Sequence, residues 1–145
     1  MSRRTSTARR RQCAALPLSR RGDDLFVLLV TSRETRRWVV PKGWVEKRHS
    51  PADQAAQEAY EEAGIRGRVA SAPIGRYAYA KRLRDGASVT CEVEVFALEV
   101  EQLLEDWPEK GQRERRWFSL PDAAAAVQEG GLGSLMLSLA APTAA

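Results

Sequence analysis

Two aliphatic runs, residues 13–18 and 25–31, stand on either side of the polar stretch 19–24. Their length and their Leu and Val content predict two strands joined as a hairpin. Residues 38–40 predict a third short strand, stopped by Pro41, and residues 42–49 a charged loop that carries Gly43. The strongest helix signal follows. Ser50 can cap, Pro51 suits the first helical position, Asp53 completes a capping box, and Gly64 can close the helix.

Further along, residues 76–83 and 88–100 flank Asp85-Gly86, a turn pair that predicts a long hairpin. In its second arm Val89, Cys91, Val93, Val95 and Ala97 share one face, and Glu92, Glu94, Phe96 and Leu98 the other. Residues 102–112 read as a polar loop, 116–118 as a last strand, 121–129 as an alanine-rich helix before Gly130-Gly131, and 132–139 as a terminal helical segment. No repeat and no linker between two cores is present. The pattern gives one mixed α/β domain over residues 12–145, preceded by an arm over residues 1–11.

Placed on a helix at about 100° per residue, Glu58, Glu61 and Glu62 fall within a strip about 100° wide. Ala56, Ala59, Tyr60 and Ala63 form the opposite stripe, where small side chains allow close packing. Like charges so close cost a few tenths of a kcal/mol per pair, and no Lys or Arg lies within the helix. A group from outside must compensate. A divalent cation with substrate phosphates is one such group, because Mg2+ is held by a few carboxylates together with phosphate oxygens and water.

Composition narrows the classes. The chain has 145 residues and a net charge of +4, but seven arginines (Arg3, Arg4, Arg9, Arg10, Arg11, Arg20, Arg21) lie in residues 1–21 without a single acid. Taking those seven from the 23 basic residues leaves 16 against 19 acids, so the remainder carries −3. The basic character belongs largely to the arm, which reads as a solvated tail dispensable for chemistry. Its acid-free, Arg/Ser/Thr-rich composition also resembles a transit peptide, a secondary expectation. No apolar run approaches the roughly 20 residues that span a bilayer. Two cysteines without metal-ligand spacing fit a reducing cytoplasm rather than a disulfide scaffold or zinc ribbon.

The stretch GWVEKRHSPADQAAQEAYEEAGI, residues 43–65, resembles the Nudix box, G-x5-E-x7-R-E-U-x-E-E-x-G-U, with unbroken spacing. Gly43, Glu58, Glu61, Glu62, Gly64 and Ile65 match; His49, Gln57 and Ala59 replace the first glutamate, the arginine and the bulky apolar residue. The preceding WVVPKGW (38–44) and the later RWFSLPDA (116–123) resemble the diphosphoinositol-polyphosphate and diadenosine-polyphosphate hydrolase branches. The loss of both box charges together leaves His49 and Gln57 free to hydrogen-bond as neutral groups.

The resemblance implies an α/β/α sandwich with a mixed sheet and a metal-dependent pyrophosphohydrolase. It implies that Glu58, Glu61 and Glu62 hold Mg2+ or Mn2+, with the Gly43 carbonyl as a further ligand and Glu58 or Glu61 orienting the attacking water. Arg33, Arg36, Arg37 and Lys42 flank the box, and Lys81, Arg82 and Arg84 the hairpin turn. If the two groups meet across a cleft, they can receive a polyphosphate. Glu92 or Glu94 is a candidate extra carboxylate, and Trp44 and Tyr77 are candidates to stack on a base. The expected partner is a small phosphoanhydride, with diphosphoinositol or dinucleoside polyphosphates favoured; neither nucleic acid nor membrane is expected, and the oligomeric state is left open. The rival expectation is a catalytically weak Nudix domain that binds nucleotide or RNA.

Overall fold

In the computed structural model, which describes residues 10–140, β1 (Arg10–Arg21) and β2 (Asp24–Thr31) form the expected hairpin, with Leu18 opposite Val27 and Arg21 opposite Asp24. β3 (Trp38–Val39) adds to β2, and β4 (Lys42–Trp44) to the start of β1. Helix α1 (Pro51–Ala63) leads into β5 (Ile65–Val69), and β6 (Gly75–Arg82) folds back on β7 (Ser88–Leu103) as the second long hairpin. β8 (Arg115–Ser119) pairs with β2 before α2 (Leu120–Ala126) and α3 (Gly130–Ala140).

The eight strands form one sheet with the path β3-β2-β1-β7-β5. β1 runs parallel to β7 from Arg10 opposite Cys91 to Leu18 opposite Glu99, while the other pairings are antiparallel. The sheet is therefore mixed. Alternation along the central strands sends side chains to two separate cores. Cys13, Ala15, Leu28, Val30, Phe96 and Leu98 pack beneath α1, against Ala52, Ala55, Ala59 and Ala63. Ala14, Leu16, Val27, Leu29, Val93 and Val95 pack on the other face with Leu120, Ala123, Leu132 and Met136 of α2 and α3. The implied α/β/α sandwich is what forms.

Several expectations shift. β1 begins at Arg10, so Arg10 and Arg11, placed in the arm by sequence, belong to the domain's central strand; the arm's residues 1–9 lie outside the described residues. Apolar content alone hid this start, because pairing with β7 holds two arginines in a strand. Residues 42–44 are strand rather than loop, held by backbone pairing to β1. β5 was not anticipated: its sequence IRGRV lacks an apolar run, its three middle residues are exposed, and its register shifts between Arg66 and Gly67. β7 runs on to Leu103, α2 ends at Ala126, and α3 starts at Gly130.

The closing glycine of α1 is set by geometry. Gly64 has φ +66°, and a Cβ there would press on the Trp107 ring and the Arg115 guanidinium at 2.7 and 2.8 Å. A left-handed conformation costs an L-residue about 1–2 kcal/mol before any clash. Gly64→Ala is expected to lower unfolding stability by more than about 1 kcal/mol in a denaturant titration. Wild-type stability in that variant would contradict the account of this turn.

Candidate active site

Ser50 starts α1 in an extended conformation and accepts the Asp53 amide on its hydroxyl at 3.1 Å. The helix then turns Ala52, Ala55, Ala59 and Ala63 onto the sheet, and Glu62 comes with them. This corrects the helical-wheel expectation. The buried stripe centres on Ala59 and takes in Glu62, while Ala56 and Tyr60 lie half-buried at its edge. Alanines give a helix little apolar contrast, so the wheel alone misplaced the centre of the face.

Strand β4 brings Gly43 opposite Cys13 of β1, and the Gly43 backbone lies so near Glu58 that a Cβ would overlap the carboxylate. Any side chain there would displace Glu58. The buried Cys13 thiol donates to the Gly43 carbonyl at 3.9 Å; burial, and next the Glu58 charge, push that thiol up to about 12. Glu58 accepts Gln54 Nε2 at 2.7 Å. Glu62, one turn further on, is 6% exposed and hydrogen-bonds to Glu58.

Burial lifts Glu62 to about 8, opposed by Arg113 and reinforced by the bond to Glu58 and by its charge. Glu58 is raised too, chiefly by burial, against the bonds from Glu62 and Gln54. Both carboxyls are thus held above the ordinary glutamate range, chiefly by burial. Glu61 stands apart, half-buried, and accepts Gln57 Nε2 at 2.7 Å. Among the described residues no three His, Cys, Asp or Glu side chains are gathered as a metal-ligating cluster. The donors nonetheless fit a hard divalent cation: oxygen ligands on one helix, a glycine backbone against one of them, and a buried carboxyl pair short of positive charge.

Residues 104–115 supply what the helix lacks. The Glu109 amide donates to the Glu61 carbonyl at 3.0 Å, Trp107 Nε1 to that of Glu62 at 3.1 Å, and Arg115 Nη1 to that of Ala63 at 2.8 Å. Three successive carbonyls left open at the helix end are thereby satisfied. Arg115 also donates to the Leu104 carbonyl at 2.7 Å and lies 4.0 Å over the Trp107 ring, a cation at the negative end of the helix. Arg113 Nε donates to Glu109 at 2.6 Å, and its Nη1 lies 3.9 Å from Glu62. Sequence reasoning required an outside compensator but missed Arg113 and Glu109. Nothing in the spacing of residues 104–115 selects Arg113 over Arg115.

The basic candidates separate. Arg33 donates to the Gln112 side chain at 3.3 Å, and Arg36, at φ +58°, donates to the Gln112 carbonyl at 3.1 Å and to Glu114 at 3.4 Å. Both are turned toward the segment before β8. Arg37 is exposed, its amide bonded to the Ser32 hydroxyl at 3.0 Å. Lys42 lies on the α2/α3 side of the sheet, 4.0 Å from Glu129 and 5.2 Å from the Tyr79 ring centroid. Burial lowers its pKa, with Glu129 and Glu62 opposing and the nearby charge of Lys81 adding to the fall. Lys42 and Lys81 are thus brought within each other's field, whereas Arg82 sits exposed at the end of β6.

Other candidates find different roles. Tyr77 is 5% exposed within the core, so it packs rather than stacks on a base, while Trp44 is 40% exposed with Arg10 6.0 Å over its ring. Glu94 is held between Arg11 (3.5 Å) and Arg76 (3.0 Å). His49 Nδ1 lies 3.6 Å from Glu46, and Gln57 bonds to Glu61, so the two departed box positions engage separate partners.

Comparison with known proteins is consistent with this geometry. The NUDIX domain family matches residues 8–136. Nudix hydrolase 12, mitochondrial, from Arabidopsis thaliana is 37% identical over 68% of this chain and 50% of its own length. Diphosphoinositol polyphosphate phosphohydrolase 2 from Rattus norvegicus is 33% identical over 82% of this chain and 63% of its own. The chain thus spans half to under two thirds of the length of these relatives. Among solved structures, a C. elegans Ap4A hydrolase superposes with TM-score 0.63 at 18% identity, covering 91% of this chain and 96% of that one. A NUDIX hydrolase from Nitrosomonas europaea gives 0.68 at 19% identity, covering 91% and 88%. Among the described residues no helix is long and apolar enough to cross a membrane.

Proton linkage gives a test of the buried carboxyl pair. An unfolded glutamate ionises near 4.5, whereas Glu62 in the fold keeps its proton to about 8. Between those values the unfolded chain binds fewer protons, so this group's contribution to stability falls as pH rises. Melting of the metal-free chain is expected to decline from pH 5 to 8, with a shallower slope in Glu62→Gln. An identical slope in that variant would remove Glu62 as the cause.

Proposed function

Because the chain belongs to the NUDIX family, we propose that it is a divalent-metal-dependent pyrophosphohydrolase that cleaves a phosphoanhydride bond in a polyphosphate or nucleoside-diphosphate-linked substrate. The observation that carries this reading is the packing of the Gly43 backbone against Glu58, one turn from the buried Glu62. Diphosphoinositol and dinucleoside polyphosphates are the favoured substrates. The names of the rat relative and of the C. elegans neighbour support that choice, as does the exposed Arg82 next to the half-buried Lys81 at the end of β6.

Glu58, Glu61 and Glu62 would hold Mg2+ or Mn2+, with the Gly43 carbonyl as a further oxygen donor. Such an ion, when bound, polarises phosphoryl oxygens, makes water more acidic and offsets charge on the leaving phosphate. The residues of the chain do the rest. Glu58 or Glu61 orients the attacking water and accepts its proton, and Gln54 and Gln57 hold these two carboxylates by hydrogen bonds of 2.7 Å each. Lys81, Arg82 and Arg37 meet the substrate's phosphates; Lys42 would first have to leave Glu129, and Arg33 and Arg36 would have to leave Gln112 and Glu114. The two buried free thiols suit a reducing compartment such as the cytoplasm.

Replacement of Glu58, Glu61 or Glu62 by Gln is expected to cut turnover of a diphosphoinositol or dinucleoside polyphosphate by about 100-fold or more while circular dichroism stays unchanged. Turnover at the wild-type rate in all three, or in excess chelator, contradicts the proposal. Should wild-type protein turn over none of a broad substrate panel yet bind nucleotide or RNA tightly, the binding-domain reading takes its place.

Exposed phosphate contacts weaken with salt. Arg82→Ala is therefore expected to raise KM several-fold for a polyphosphate and less for a nucleotide sugar, with the difference shrinking at high ionic strength. Equal effects on both substrates would remove Arg82 from phosphate recognition.

A further inference from the structure

One guanidinium from outside α1 meets the charge that the helix concentrates. The Arg113 side chain is 11% exposed and lies between those of Glu62 (8%) and Glu109 (20%) in an almost dry acid–base–acid row. Its Nε donates to Glu109 at 2.6 Å, and its Nη1 donates to the Thr31 carbonyl at 3.1 Å while lying 3.9 Å from Glu62 Oε1. Both ends of the row are anchored. Thr31 closes β2, and its hydroxyl accepts the Glu114 amide at 2.9 Å; the Glu109 amide is tied to the Glu61 carbonyl at 3.0 Å. The box itself supplies no such cation, since Gln57 is neutral and His49 faces Glu46 in an exposed loop.

We infer that Arg113 is a positioning residue for the metal-binding carboxylates: held by Glu109 and Thr31, it fixes the Glu62 side chain beside Glu58 and so raises the affinity of the helix for a divalent cation. This rests on the metal-dependent reading above. Simple electrostatics gives the opposite sign. A guanidinium about 4 Å from a ligand oxygen repels an incoming cation, and deleting it should then tighten binding. Orientation prevails because outer-shell partners of ligating carboxylates are worth about 10–100-fold in metal affinity, and because the planar fork of Arg113 donates to Glu109 and to the Thr31 carbonyl while facing Glu62.

Isothermal titration of Mn2+ into the full chain, with circular dichroism as a check on folding, separates the two. Arg113→Met is expected to weaken Mn2+ binding by about 10-fold or more. Arg113→Lys keeps the charge without the fork and should fall between wild type and Met; Glu109→Gln, which loosens the anchor, should weaken binding by a smaller factor. Wild-type or tighter affinity in both Arg113 variants overturns the inference. If Arg113→Met does not fold, wild-type affinity in both Arg113→Lys and Glu109→Gln does so. A wild-type chain that binds no Mn2+ defeats the metal-dependent reading itself, and this role with it.

Discussion

Burial of acid on α1 is the constraint to which the rest of the site answers. The helix must dock closely on the sheet, which its alanines allow, and it must also carry Glu58, Glu61 and Glu62 within its last two turns. Docking takes Glu62 out of water with the alanines. A buried carboxylate is tolerated only when protonated or paired. Each unusual neighbour meets part of that demand: Gln54 on Glu58, Glu58 itself beside a Glu62 whose pKa burial raises, and Arg113 reaching in from the β7–β8 connection. The same connection caps the helix, so its fixed shape and the electrostatics of the carboxylates come from a single segment.

The sheet divides the labour of the site by strand alternation. Gly43 faces α1 and Glu58, so its neighbours Lys42 and Trp44 face the other side, where Lys42 meets Tyr79 and Glu129. Adjacent residues of one short strand thereby serve opposite layers of the sandwich. A one-residue slip of β4 against β1 would exchange them, placing a lysine against the carboxylate of Glu58 and a glycine where the ammonium now lies.

The hairpins and α1 were legible in the sequence because they are local: the cap at Ser50, the stop at Gly64 and the turn at Asp85-Gly86 act within a few residues. What the sequence concealed depends on distant partners. Arg10 and Arg11 become strand only through pairing with Cys91 and Glu92, and β5 exists only against the end of β7. The resemblance to the Nudix box singled out the three glutamates and Gly43, and the fold brings Gly43 against Glu58. It carried no information on Arg113, whose role is set by where the chain returns after β7. Arg33 and Arg36 were legible as charges but not as partners of Gln112 and Glu114, almost 80 residues away.

Parallel pairing of β1 with β7 has a consequence for how the chain reaches this state. Residues 10–18 leave the ribosome about 80 positions ahead of their partners, residues 91–99. Antiparallel neighbours β2 and β4 become available early, but one edge of the central strand stays open until β7 has been made. Such long-range closure is slow and leaves a strand edge exposed in the meantime. Arg10 and Arg11 place two charges at the start of that waiting edge, where charge disfavours pairing with a neighbouring chain.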